Sequence, residues 1–425
     1  MITLNTIFYV CTALIIIEVC LTILIWWLRQ NCPWLIISSD EFPRLDPRGL
    51  KSFVANGWDS ELGWTRKPNT SGIEKGRNDT DVTFEIDSSG ARLNPGFEQE
   101  QPKILAYGDS YTFARQVENN ETWAHSLSKN LNANVANYGV GNYGFDQALL
   151  RLEREFDNHP APVVIIGVVP ETMSRIHAYW KHFSEYGNTF AFKPRFELDS
   201  EELCFRPSFI RDATDFDQIK EQHSRITKAD YFYEKKFKRD ILFFPFSISL
   251  FKNPFRTLPL IGAALTDRLG LTRDAAFTQV MRRNINMNRE LYRTRNSIAL
   301  FAALVRRFVD FCKSRNTVPV LVMLPQRMDM EKILQGDHYY ETLIQEVSDQ
   351  LTVIDVAPAL AAEREINKLY INDKYGGHLS KAGNQVVADF ITPICERLLH
   401  STHGKGTADG SDTVDVRTHQ KGSAT

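Results

Sequence analysis

Two stretches of this 425-residue chain hold the residue types of nucleophilic catalysis. In "KILAYGDSYTFA" (103–114) an apolar run passes through Gly108 and Asp109 into Ser110. Serine is a weak nucleophile until a base takes its proton, so a histidine has to come within reach. Of the ten histidines, His378 is best placed, in "DKYGGHLSKAGNQVVADF", where Gly376 and Gly377 allow a turn and Ser380 suits a helix N-cap. Asp373 stands five residues before His378 and could orient its imidazole. Taken alone, His378 and Asp373 fit an exposed loop with two solvated side chains equally well. The choice turns on whether the fold brings His378 to Ser110.

The elements around these residues favour that meeting. Residues 103–108 form a short apolar run, 122–131 are helical in pattern, "ANVANY" (133–138) reads as a strand and 144–157 as a helix. "PVVIIGVV" (162–169) is apolar without alternation, as a strand buried on both faces requires. The pattern breaks after Arg175 and resumes near Asn296 with a helix whose apolar face carries Ile298, Phe301, Leu304, Val305, Phe308 and Cys312. A strand at 318–324, a helix at 337–350, a strand at 351–357 and a final helix at 380–398 complete the series. Strands alternating with helices at this spacing predict a parallel sheet covered on both faces. Ligands of such sheets bind at the carboxyl ends of the strands, where Ser110 and His378 would both lie.

The stretches "GDSYTFA", "NYGVGNYGFDQALLRL" and "GGHLSKAGNQVVA" together resemble the SGNH (GDSL-like) hydrolase superfamily, over about 103–175 and 296–399. The resemblance implies a flavodoxin-like three-layer α/β/α sandwich, Ser110 as nucleophile, His378 as base, and esters, carbohydrate O-acyl esters among them, as substrates. It implies O-acyl transfer to an envelope polysaccharide as the nearest alternative, and a catalytically reduced glycan-binding or assembly protein as another. This chemistry needs no metal or organic cofactor. Many members place the aspartate three residues before the histidine; here Tyr375 holds that position and Asp373 stands two further back. Aligned on the family pattern, the oxyanion hole comprises the Ser110 N–H, Asn142 where a glycine is usual, and Thr172 where an asparagine is usual. Loss of one such donor costs about 2.7–4 kcal/mol of transition-state stabilisation.

Other segments bear on place and substrate. From Thr6 to Leu28 the chain is apolar except for Glu18, long enough to cross a bilayer, with Trp26 and Trp27 suited to its interface. Arg29, Arg44 and Arg48 after the span favour a cytoplasmic body, whereas the family resemblance favours an extracytoplasmic one. Residues 31–102 resemble the lead-in of membrane-anchored members and are expected to form a small β element beside the first strand. The insertion at 176–295 opens with aromatics interleaved with donors, of which Trp180, Lys181, His182 and Arg195 fit either a sugar-binding cleft or an ordinary amphipathic lid. Within it, 237–265 is apolar but broken by Pro245, Pro254 and Pro259, so it is expected to pack as lid helices or rest on a membrane surface. Residues 400–425 lack Leu, Ile, Phe, Trp and Tyr and are expected to be a disordered tail. A net charge of −2 without a basic stripe argues against nucleic acid as a partner.

Overall fold

Five of the apolar runs pair into one parallel sheet. The computed structural model describes residues 4–32, 43, 45–77, 80–371 and 377–404. Its strands are β1 (Trp58–Asp59), β2 (Gly63–Trp64), β3 (Thr70–Lys75), β4 (Asp81–Ile86), β5 (Ile104–Gly108), β6 (Val135–Asn137), β7 (Val163–Val168), β8 (Arg195–Asp199), β9 (Glu202–Arg206), β10 (Val318–Met323) and β11 (Thr352–Asp355). The main sheet runs β11-β10-β7-β5-β6, every pair parallel. Its first strand in sequence therefore lies between its second and third, the flavodoxin-like order. The order reverses between β5 and β7, so the crevice for a ligand opens where β5 delivers Ser110.

Both faces of the sheet are covered, which accounts for strands without polar alternation. On β5, Ile104 and Ala106 face one core with Trp123, Leu127, Val387 and Ile391, drawn from the helices Trp123–Leu131 and Lys381–Gly404. Leu105 and Tyr107 face the other, with Leu149, Phe301, Leu304 and Phe308 from the helices Phe145–Glu155 and Arg295–Ser314. Each large side chain buried in this way contributes about 1.5–3 kcal/mol. The three-layer α/β/α architecture follows directly.

Two boundaries differ from the sequence expectation. The helix expected over 337–350 spans only Glu341–Val347, because Tyr339 and Tyr340 before it turn inward to Asp329 and Asp355, with hydroxyl-to-carboxylate distances of 2.7 and 3.1 Å. The last helix continues to Gly404, into the segment assigned to the tail. Ser401 and Thr402 donate back to the Leu398 and Leu399 carbonyls at 2.7 Å each, so a stretch without large apolar residues still joins the helix. The rest of the expected tail, 405–425, lies outside the described residues.

Two antiparallel hairpins, β1–β2 and β3–β4, occupy the lead-in. Arg92 bridges Ile86 at the end of β4 to Asn137 of β6, stitching the second hairpin to the edge of the main sheet. The insertion after β7 carries the hairpin β8–β9 and several helices. It is fastened to the sandwich by an ion pair between buried Lys193 and buried Asp146, at the start of the helix Phe145–Glu155. The N-terminal helix Leu4–Asn31 is long and apolar enough to cross a membrane.

Candidate active site

The turn that presents Ser110 is built from backbone contacts too close for most side chains. Gly108 ends β5 at φ 152°, and a Cβ there would lie 1.9 Å from the Gly167 carbonyl oxygen on β7. Asp109 caps the short helix Ser110–Phe113: one carboxylate oxygen accepts from Tyr111 N at 2.8 Å, the other from Val169 N at 2.9 Å and from Arg175 at 3.1 Å. Burial pushes the Asp109 carboxyl upward while Arg175 and the two N–H groups oppose the shift. Asp109 thus ties the exit of β5 to the exit of β7. Thr112 donates to the Gly167 carbonyl at 2.7 Å, and Asn137 donates to the Thr112 carbonyl at 2.7 Å. From below, buried Arg92 donates to the carbonyls of Phe113, Ala114 and Val117 and to Asn119. Burial lowers its guanidinium to about 9.

A second set of contacts brings His378 to the same rim. Tyr111, next to the nucleophile, donates its hydroxyl to the Gly377 carbonyl at 2.6 Å, and its ring lies 5.0 Å from the imidazole. Ile371 N donates to the His378 carbonyl at 2.7 Å, and Asn384 joins the following helix to Trp123 N at 3.0 Å. With the loop so held, His378 Nε2 stands 3.0 Å from Ser110 Oγ. This is a serine–histidine site.

The other nitrogen of the Ser–His site decides its tautomer. His378 Nδ1 lies 2.8 Å from Gln116 Oε1, while Gln116 Nε2 donates to the Lys75 carbonyl on β3 at 2.8 Å. The carbonyl of Lys75 can only accept, which turns the amide nitrogen towards β3 and the amide oxygen towards the imidazole. His378 Nδ1 therefore carries the proton, leaving Nε2 with the lone pair that can take the proton of Ser110. Gln116 sits at φ 70°, and its backbone N–H donates to Glu74 at 3.1 Å, with Glu74 also paired to Arg115 at 3.0 Å. Burial, reinforced by the positive charges of Arg115 and Arg175, holds the His378 pKa well below the usual 6.5. The imidazole is neutral, as a base must be.

Gln116 was not among the residues expected from sequence. A glutamine does not titrate and recurs in no motif, and its role depends on a left-handed backbone and on β3, which nothing local announces. Asp373, expected to orient His378, lies outside the described residues. Asn142 is exposed, in the left-handed conformation at φ 67° that asparagine tolerates better than most residues. Thr172 corrects an expectation. It is fully buried, and its hydroxyl oxygen accepts from Phe145 N at 2.9 Å, so it caps the helix Phe145–Glu155 and joins two rim loops.

The four residues expected in a substrate cleft are also corrected: Trp180, Lys181, His182 and Arg195 are all buried and engaged inside the insertion. Trp180 stacks on Phe192 at 4.8 Å and donates to the Thr189 carbonyl at 3.1 Å. Lys181 pairs with Glu185 at 2.9 Å, His182 Nδ1 accepts from Gly187 N at 3.2 Å, and Arg195 donates to the His177 carbonyl at 2.6 Å. Aromatics alternating with donors here build a core in which each of these four side chains has a partner. Arg92 serves the nucleophile turn.

No family model matches the chain, and no curated protein does. Among solved structures it is similar to a lipase/acylhydrolase from Enterococcus faecalis, with 12% identity over 70% of this chain and 96% of that one and a TM-score of 0.34. It is similar to the psychrotrophic esterase EstA from Pseudoalteromonas sp., with 10% identity over 71% and 97% and a TM-score of 0.27. It is also similar to a two-domain esterase active on acetylated mannans, with 12% identity over 74% and 53% and a TM-score of 0.31. At these scores the likeness carries no functional weight of its own.

Proposed function

We propose that the chain is a membrane-anchored serine esterase of SGNH type that cleaves O-acyl esters. The observation that carries this reading is the 3.0 Å approach of His378 Nε2 to Ser110 Oγ, with Nδ1 held by Gln116. In the reaction, Nε2 takes the hydroxyl proton as Ser110 Oγ bonds to the ester carbonyl carbon. Negative charge moves to the carbonyl oxygen, where the backbone N–H groups of Ser110 and Asn142 are the donors available to it; neither has an acceptor among the described residues. The imidazolium then gives its proton to the departing alcohol oxygen as the ester C–O bond breaks. Water, deprotonated by the same nitrogen, attacks the acyl-serine and releases the carboxylic acid with Ser110 restored. Where a sugar hydroxyl replaces water, the same steps give acyl transfer.

The motif resemblance supports O-acetylated carbohydrate as substrate and an extracytoplasmic body, and the length and apolar composition of Leu4–Asn31 support a single membrane span. Incubating the purified full-length chain with an acetylated glycan tests this reading. Free acetate produced by wild type and absent with Ser110→Ala is expected. Acetate that appears only on a supplied acceptor sugar assigns the transferase branch, and no turnover of any acetyl ester contradicts the reading. A reporter fused at the carboxyl terminus of the intact chain tests the orientation, and activity only as a cytoplasmic reporter overturns it.

A further inference from the structure

The proline-broken part of the insertion does not sit beneath the end of the N-terminal helix but alongside it. Glu18 lies thirteen positions before that helix ends at Asn31, roughly 20 Å along its axis. Its carboxylate accepts from the backbone N–H groups of Phe246 and, at 3.0 Å, of Ser247. Nearer the carboxyl end of the helix, Ile25 and Leu28 are buried against Leu242, Leu250, Leu260 and Ile261. The helices Phe246–Lys252 and Pro254–Arg268 thus run beside the inner half of a segment apolar enough to span a bilayer.

Their outward side is apolar and uncovered. Phe244, Ile248, Phe251, Phe255 and Leu258 are exposed, Phe251 by 79% and Phe255 by 91%. Of the charged side chains beside them, Lys252 is exposed at the end of its helix, its ammonium 5.3 Å from the Phe243 ring and free to snorkel to an interface, while the buried ones are paired. Arg256 pairs with Asp240 at 3.0 Å with both side chains buried, and Asp267 accepts from Ala275 N and Ala276 N at 2.9 Å each. Internal matching of polar groups under an apolar exterior is what a hydrocarbon solvent demands. A carboxylate halfway along a membrane helix is likewise costly unless partnered, and this segment supplies the partner.

Resting on the reading of Leu4–Asn31 as a membrane span, we propose that residues 243–258 form a wedge embedded in the acyl-chain region of one leaflet, docked on the span through Glu18. The wedge fixes the height of the catalytic rim. The helix Ala275–Tyr292 starts at Asp267, passes Arg256 and Asp240 at Arg283 and continues about 14 Å to the loop after β7. There Asn288 accepts from Ser174 N at 3.1 Å and Tyr292 donates to the Pro170 carbonyl at 2.8 Å. Ester substrates then meet Ser110 at a set distance above the membrane surface.

The test uses the full-length chain in phosphatidylcholine nanodiscs, with Cys11, Cys20, Cys32 and Cys204 replaced by serine. A fluorophore is attached in turn to Phe255→Cys, to Ile16→Cys on the span and to Glu61→Cys on the body, with Phe251→Cys read in parallel should Phe255→Cys misfold. Nitroxide-bearing lipid chains are expected to remove most of the fluorescence at 255 and at 16 but not at 61, where aqueous iodide quenches instead. Lipid quenching at 16 with iodide quenching at 255 and 251 overturns the wedge and leaves the membrane span standing. Iodide quenching at 16 as well overturns both.

Discussion

Gln116 orients His378 through a neutral amide, where a carboxylate would add charge. An amide oxygen fixes the tautomer but offers little to the imidazolium that forms during turnover. Gln116→Leu is expected to lower kcat by about a hundredfold with little change in KM, within the usual contribution of general-base catalysis. Gln116→Glu keeps an acceptor, adds a negative charge and should move the acid limb of the kcat/KM profile to higher pH. A profile unmoved by either variant would mean that Gln116 only packs. In wild type the depressed pKa of His378 places that limb below the ordinary histidine value near 6.5. The stability effect has a definite sign. Because the unfolded chain binds this proton more readily than the folded one, stability falls as pH drops below about 6.5, and the loss levels off only beneath the folded value. Ser110 and His378 could be read from sequence because strand–turn–serine and glycine–histidine–helix patterns are local. Thr172 could be aligned but not assigned, since its full burial behind the helix that begins at Phe145 is decided by a neighbouring segment.

At the level of elements, the nucleophile turn is held by two features that differ in kind. Gly139 permits close backbone contact, since a Cβ there would stand 2.2 Å from Phe113 N. Gly139→Ala must therefore displace the helix that carries Ser110, and both the melting temperature and the activity of the folded protein are expected to drop. Arg92 satisfies three carbonyls of that turn, and removing it leaves buried acceptors that cost about 1–3 kcal/mol each. Arg92→Ala should accordingly lower the midpoint of denaturant unfolding by an amount worth several kcal/mol, whereas a loss under about 0.5 kcal/mol, typical of surface changes, would contradict the assignment. The strands of the main sheet were legible because both-face burial leaves unbroken apolar runs. The place of β3 was not legible, because a half-exposed hairpin contributes to the site only through the Lys75 carbonyl and the Glu74 carboxylate, both meeting Gln116.

Across the whole molecule, one sandwich holds together a lead-in, a large insertion and a membrane-type helix. The insertion is joined to the sandwich through Lys193 and Asp146, both buried. Lys193→Met alone strands a buried carboxylate and is expected to cost about 3–5 kcal/mol. Adding Asp146→Asn should recover much of that loss in thermal unfolding, a coupling that two independent sites would not show. The parallel architecture was predictable from the alternation of strands and helices, but the interior of the insertion was not. Its aromatics and donors have one composition whether they line a cleft or fill a core, and only the fold closes Trp180, Lys181, His182 and Arg195 away from solvent.

All three levels converge on one reactive oxygen. The most direct measurement is peptide mass mapping of the full-length protein after exposure to a fluorophosphonate, which bonds to an activated serine and not to an ordinary one. A single adduct on Ser110, absent from Ser110→Ala and greatly slowed in His378→Ala, is the expected result. An unmodified Ser110 in folded wild-type protein, or labelling unaffected by His378→Ala, would contradict a catalytic serine–histidine pair.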